Sequence, residues 1–327
     1  MKNILKFALI MFTAVSLTAA QAGELSISGG AKASYTITGS DNSATKLNQA
    51  KGLGVSNEFD LGASGELDNG YTWNYQVQID SDTTQDDAKI TMTTPYGTAG
   101  VFISEGGLEF SKKGAVSATG DRASDTGYDE GMVEEHSIGD LNNIQYHTPA
   151  DLLPAGIMFK VGYAPDTTAG QSNSVNAQGG ANLGAHTSVT AVTAKAQTTT
   201  GLGRSMTSYQ LSASPIDGLD LGASYSEFGN VENATAQKPE SGSYFASYTM
   251  GSVTAAYGKA YIAHALETAV TDFIEDTENV KASVSVNVND DLSVSYIQEK
   301  STANHKTTAT TDVELKSTSL GAAYTMG

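Results

Sequence analysis

The chain of 327 residues has no cysteine, one tryptophan, six prolines and only two arginines, Arg122 and Arg204. Without cysteine there is neither a disulfide framework nor a thiolate metal site, so an exported fold must take its rigidity from elsewhere. Basic residues are scarce altogether: 18 Lys and Arg stand against 36 Asp and Glu, a net charge of −18. That balance argues against nucleic acid as a partner, because phosphate backbones are bound by Lys and Arg. It favours cations instead, with screening beyond about 8 Å at physiological ionic strength. Long apolar runs are missing too. Beyond the N-terminal segment nothing approaches the ~20 apolar residues that a membrane helix needs, which leaves a closed barrel as the way to span a bilayer. Catalytic signatures are poor. His136, His147, His186, His264 and His305 are scattered without metal-ligand spacing, and there is no nucleophile elbow, phosphate loop or dinucleotide fingerprint. The reading is a non-enzyme with no cofactor and no metal; the acidic group Asp80, Asp82, Asp86 and Asp87 lacks EF-hand spacing and reads as hydrated surface charge.

What is present begins with MKNILKFALIMFTAVSLTAAQA, in which Lys2 and Lys6 precede an apolar run and Ala20-Gln21-Ala22 offers small residues for cleavage. This predicts a signal peptide over 1–22 and a mature chain from Gly23 with 16 basic and 36 acidic residues, a net charge of −20. From Phe59 to Ile79 the chain writes two strands around Asp68-Asn69-Gly70. Odd positions hold Phe59, Leu61, Ala63, Tyr75, Val77 and Ile79, and even ones Asp60, Ser64, Glu66, Asn74, Gln76 and Gln78. Successive side chains point to opposite faces of a strand, so one face is apolar and the other hydrophilic. The pattern recurs to the end and predicts strands over roughly 24–38, 53–66, 71–79, 88–94, 98–105, 142–148, 157–164, 204–214, 219–228, 242–250, 253–262, 279–288, 292–299 and 313–326. Short turns built on Gly, Asn and Pro alternate with the long polar connections 39–52, 105–141, 165–203, 229–241, 263–278 and 300–312. Within 165–203, the stretch 187–196 reads as a further hairpin or an ordered part of a loop. Short turns at one rim and long loops at the other are the rhythm of an all-β, antiparallel, up-and-down transmembrane barrel. Tyrosines near strand ends, among them Tyr71, Tyr96, Tyr248, Tyr257 and Tyr324, suit a membrane interface.

Four stretches carry a likeness: GELSISGGAKASY at the mature N-terminus, the hairpin GELDNGYTWNYQVQ, the turn TPYGTAGVFI, and NIQYHTP with GIMFKVGYAP over 143–165. In their order and spacing they resemble the Gram-negative general porins, the trimeric diffusion channels of the outer membrane. The resemblance covers 23–327 and implies sixteen strands, a homotrimer in contact with outer-membrane lipids, and a third long loop folded into the pore. About fourteen strands are legible. The chain ends on Tyr-Thr-Met-Gly, which at 248–251 enters a turn, and the family's closing strand usually ends in an aromatic residue. We therefore expect a C-terminal truncation.

The segment 105–141 follows the fifth strand, where the resembled family places its pore-folding loop. As a lone charge run it would read as a solvated surface loop; its position makes it the expected constriction, with Asp121, Arg122, Asp125, Asp129, Glu130, Glu134 and Glu135 as candidate lining residues. A ring of carboxylates at a narrow point favours cations. The family sets arginines opposite such a loop, and this chain has no arginine ladder. Inward-facing Lys32, Glu58, Asp60, Lys89, Lys160 and Lys281 are the expected lumen wall. The function that follows is passive diffusion of small hydrophilic solutes and ions, with cations preferred. The alternative from another class is an exported structural or adhesive β-protein without channel activity, since alternation alone also fits a soluble sandwich.

Overall fold

A computed structural model describes residues 24–37, 51–80, 87–110, 113–118, 135–149, 152–165, 205–229, 238–263, 274–305 and 313–324. Fourteen strands form one sheet: β1 Glu24–Ile37, β2 Lys51–Glu66, β3 Thr72–Asp80, β4 Ala88–Thr94, β5 Gly97–Ile103, β6 Asn143–His147, β7 Met158–Ala164, β8 Ser205–Ile216, β9 Leu219–Gly229, β10 Glu240–Met250, β11 Val253–Ala263, β12 Ile274–Asn287, β13 Leu292–His305 and β14 Val313–Tyr324. Each pairs antiparallel with the next in chain order, without a crossover. Among the described residues no helix is long and apolar enough to cross a membrane. The first and last strands, β1 and β14, are each hydrogen-bonded on one side only among the described residues. In hydrocarbon those outer edges must find partners, because an unsatisfied backbone group there costs several kcal/mol, of order ~2–7.

Register fixes which face each residue takes. Leu211 is opposite Ala223, Ala223 opposite Tyr244, and Tyr244 opposite Lys259. On this face Leu211, Tyr244, Tyr257, Val294, Tyr296 and Leu320 are exposed. So are Leu25, Ile27 and Phe59 on the corresponding face of β1 and β2. Leu211 is 49% exposed and Leu320 82%, values that a soluble core would not tolerate and a lipid-facing surface requires. The opposite face carries Ser208, Gln210, Ser224, Ser226, Ser241 and Ser243, all buried.

The short connections lie at one end. Leu67 N–H donates to the Tyr71 carbonyl at 2.7 Å and Gly70 N–H to the Leu67 carbonyl at 2.8 Å, closing the β2–β3 turn. Gly218 joins β8 to β9 at φ +77, and a Cβ there would stand 2.2 Å from the Thr249 carbonyl oxygen, so a side chain fails both on conformation and on space.

All fourteen expected strands are present, with one systematic difference. Strand β12 starts at Ile274 rather than near 279, and β13 runs to His305 rather than 299. These extensions hold Glu275, Asp276, Glu278, Lys300 and Asn304, which break the apolar alternation. The ladder continues through them by backbone bonding and is backed by ion pairs, Lys259 to Glu278 at 2.6 Å and Lys300 to Glu314. Alternation is imposed by lipid contact; where the outer face carries charge, the signal stops before the strand does. The stretch 187–196 and the signal segment 1–22 lie outside the described residues.

Candidate functional site

The chain leaves β5 by turning back on itself. Ser104 (φ 52) and Gly106 (φ 81) adopt the left-handed region in quick succession, a conformation that glycine takes freely and serine at a cost. Lys89 and Glu105 pair across the bend at 2.5 Å, and the Gln145 amide donates to the Gly106 carbonyl. The turn sends residues 107–110 and 113–118 onto the inner face of the sheet instead of out beyond its rim.

From there the segment crosses the wall strand by strand. Gln210 of β8 donates to the Leu108 carbonyl (2.9 Å). Phe110 N–H donates to Ser243 of β10 (3.1 Å) and Ser224 of β9 (3.3 Å). Gly114 meets Gly258 of β11 backbone to backbone. Val116 N–H donates to Ser283 of β12 (2.8 Å), and Ala118 N–H to Ser295 of β13 (2.9 Å). A segment outside the sheet has backbone groups that no ladder satisfies, so the wall hydroxyls take that role. Small side chains at these wall positions let the backbone come close enough to be bonded.

A returning limb, residues 135–141, lies beside the first. His136 N–H donates to Ser241 (2.9 Å), and the Ser137 hydroxyl to Glu109 of the outgoing limb (2.9 Å). Gly139 approaches Gly107 so closely that a Cβ on it would sit 2.8 Å from the Gly107 nitrogen. Below this crossing, Leu108, Ile138 and Leu141 from the two limbs pack with Ala164, Met206 and Phe228 from the wall. This is an apolar cluster shared by the loop and the wall. Burying each such side chain contributes roughly 1.5–3 kcal/mol, so the limbs are fastened by packing as well as by hydrogen bonds.

Glu135 sits where both limbs and the wall meet. It is 3% exposed. The Ser224 hydroxyl donates to its two oxygens at 2.7 and 3.0 Å, and Ser224 and Ser243 hydroxyls lie 2.6 Å apart. Burial pushes the Glu135 carboxyl up to about 8; hydrogen bonds from Ser243 and Ser224 and the charge of Lys281 pull the other way, while Glu109 adds to the rise.

The expected lining residues are thus placed unevenly. Asp121, Arg122, Asp125, Asp129, Glu130 and Glu134 lie outside the described residues. Glu135 is tucked against the wall. Asp60 faces inward and accepts from Gln76 (2.8 Å) and Gln78 (3.4 Å). Lys89 is paired with Glu105, Lys160 lies opposite His147 in register, and Lys281 is buried at 1% exposure, opposite Glu299. For Lys32 and Glu58 the register alone is described: Lys32 pairs with Ser56, and Glu58 with Gly30 and Asp80. Sequence reasoning missed the wall positions Ser224, Ser243, Gly258, Ser283 and Ser295. A usable signal existed, since inward positions of β9–β13 are rich in Ser and Gly whereas those of β2–β3 hold Asp, Glu, Asn and Gln. It becomes meaningful only once something is known to lie on them. Among the described residues no group of acidic or histidine side chains could hold a metal ion.

Comparison with known proteins agrees with this architecture. The chain superposes on an OmpF structure from Salmonella typhi in complex with daunomycin at a TM-score of 0.61 and 14% identity, covering 94% of this chain and 87% of that one. OmpT of Vibrio cholerae in its trimer form gives 0.60 at 13% identity, covering 94% and 85%. An anion-selective porin from Comamonas acidovorans gives 0.58 at 12% identity, covering 93% and 85%. No curated protein matches the chain in sequence. At these identities the likeness concerns the fold, a β-barrel of the outer membrane. The family model described as Gram-negative porin matches residues 8–327, and the chain belongs to that family of outer-membrane channel proteins.

Proposed function

We propose that the barrel is a passive diffusion channel for small hydrophilic solutes and ions, assembled as a homotrimer, with cations preferred and no catalytic step. The observation that carries this reading is the anchoring of the inner loop. Its outgoing limb is bonded to the wall as far as Ala118 on β13, and its returning limb is bonded from Glu135 onward on β9 and β10. The sixteen residues 119–134 are therefore flanked by two anchor points on the inner wall, Ala118 and Glu135, three to four strand spacings apart, roughly 15–20 Å. We infer that they form the constriction. They carry Asp121, Asp125, Asp129, Glu130 and Glu134 against one cation, Arg122. Inside low-dielectric walls such an excess concentrates cations and repels anions.

The fold does not set the sign of selectivity, since one similar barrel is an anion-selective porin; the residues do. Here the wall contributes little positive charge to oppose the segment. Lys89 is paired and Lys281 is buried. The exported adhesive alternative needs an apolar face packed on another sheet, and here that face is exposed from β1 to β14 while the polar face is lined by the protein's own loop. A signal peptide over 1–22 fits export. Planar-bilayer recording under a KCl gradient tests the proposal: stepwise conductance with a reversal potential on the cation side is expected, and a purified, folded oligomer that does not conduct would overturn it.

A further inference from the structure

We propose that the inner wall of the barrel binds a monovalent alkali cation between β12 and β13, held by the Glu299 carboxylate, the Ser301 hydroxyl and the Asn279 side-chain carbonyl. The site belongs to the wall itself and stands whether or not the pore conducts.

Its origin is a charge that nothing meets. Glu299 is 2% exposed and Ser301 3%, and neither oxygen of the Glu299 carboxylate nor the Ser301 hydroxyl has a hydrogen-bond partner. Other carboxylates of the wall and loop are answered. Glu135 accepts from Ser224, and Glu105, Glu278 and Glu314 each pair with a lysine. Lys281 is buried directly opposite Glu299 in register, yet the Glu299 oxygens accept no hydrogen bond from it; its charge reaches Glu135. The frame around the pair is apolar: Ala260 and Ile262 of β11 and Ile297 and Ala303 of β13 are all buried. A bare carboxylate in such surroundings is strongly disfavoured unless a counter-charge comes with it.

Register brings the donors together. Ser301 is directly opposite Asn279 across the strand pair, which sets their Cβ atoms about 4.5–5.5 Å apart. Glu299 is the next inward residue of β13, about 6.7 Å along the strand, a step its side chain can turn back over. Two oxygens on one hard cation stand at most about 5 Å apart, twice a ligand distance of 2.3–2.6 Å. The three residues can therefore share one ion. Water completes the shell, and the buried Thr277 hydroxyl, one inward position beyond Asn279 and itself without a partner, is placed to hold it.

The donor chemistry selects the ion. Carboxylate, hydroxyl and amide oxygens suit hard cations and not soft ones. With a single carboxylate, a monovalent ion balances the charge, whereas a divalent one would add a second positive charge beside buried Lys281. Water alone would satisfy hydrogen bonds and leave the charge in place. The ion would fasten β12 to β13 one row from Ser283 and two rows from Ser295, the positions that hold the outgoing limb of the loop. Because it binds the folded barrel only, it should stabilise that state in proportion to the logarithm of its concentration above saturation.

The test uses the full chain folded in detergent, with NaCl or KCl replaced by choline chloride at constant ionic strength. The readout is the temperature at which the sheet signal in circular dichroism is lost. In wild type that temperature should rise with added Na⁺ or K⁺ and stay flat in choline. Glu299→Gln should abolish the difference between the salts, and Ser301→Ala, which keeps the charge, should raise the half-saturating concentration about tenfold. Crystals grown with Tl⁺ give a second measure that needs no variant to fold: an anomalous peak is expected between Glu299 and Ser301. Equal melting of wild type in alkali and choline salts, a response to Ca²⁺ but not to Na⁺ or K⁺, a full response retained in Glu299→Gln, or no Tl⁺ peak at this place would each overturn the site. A barrel that responds to alkali ions through Glu299 but does not conduct would uphold the site and remove the pore reading.

Discussion

The crossing of Gly114 over Gly258 makes the sharpest structural prediction. A Cβ built on Gly258 would stand 2.8 Å from the Gly114 Cα and 3.2 Å from its nitrogen. Both obstacles are backbone, so no side chain can rotate away. Ordinary contact between carbons needs about 3.5–4.0 Å; Gly258→Ala must therefore lift the loop by several tenths of an ångström and Gly258→Val by more. The lift is felt downstream, because Val116 N–H and Ala118 N–H bond to Ser283 and Ser295 at 2.8 and 2.9 Å only two and four residues further on. Overpacking costs about 1–3 kcal/mol, and each lost hydrogen bond about 0.5–1.5 kcal/mol. Together that is about 2–6 kcal/mol against docking, or at least a ~30-fold shift in the docked-to-released ratio. Single-channel recording should find Gly258→Val with altered unitary conductance and more frequent interruptions than wild type, and Gly258→Ala in between. The control is Gly62→Ala on β2, where a Cβ meets the mobile Ser26 hydroxyl at 2.6 Å and the nearest backbone atom at 3.7 Å; it should behave as wild type. A folded Gly258→Val oligomer with wild-type conductance and quiet traces would refute the placement of the loop on β11.

Three further outcomes are expected. Neutralising Asp125, Asp129, Glu130 and Glu134 together should move the reversal potential under a KCl gradient towards zero, more so at low salt where screening is weaker; Glu135→Gln alone should leave it nearly unchanged below about pH 7, since that carboxyl is already neutral there. Leu211→Arg on the lipid-facing side should cost about 2–4 kcal/mol in urea titrations of folding into bilayers, whereas Ser212→Arg on the inner side should cost far less; equal costs would refute the assignment of faces. Native extraction should give a sheet-rich oligomer that resists unheated detergent electrophoresis as a trimer and dissociates on boiling, and a monomer soluble without detergent would contradict it.

The pattern of side chains, read without any structure, carries the barrel. Period-two alternation in β1–β3 and β8–β14 is imposed by a local condition, one face against lipid, and local conditions are written residue by residue. Short turns such as Asp68-Asn69-Gly70 are equally local, because positive φ is a property of single residues. Where the outer face becomes charged, at Glu275–Glu278 and Lys300–Asn304, the same logic explains why the strands outrun their signal. The inner loop is different. That 105–141 is acidic and follows β5 is plain from the chain. That its limbs lie on Ser224, Ser243, Gly258, Ser283 and Ser295 is not, since these contacts join residues 89 to 177 positions apart and small residues are informative only opposite something large. Glu135 makes the point most clearly. By sequence it belongs with Glu134 and Glu130 as one more carboxylate of an acidic segment; its burial between two serines, which decides whether it carries a charge at all, is settled by tertiary contact alone, because desolvation is a property of the surroundings and not of the residue.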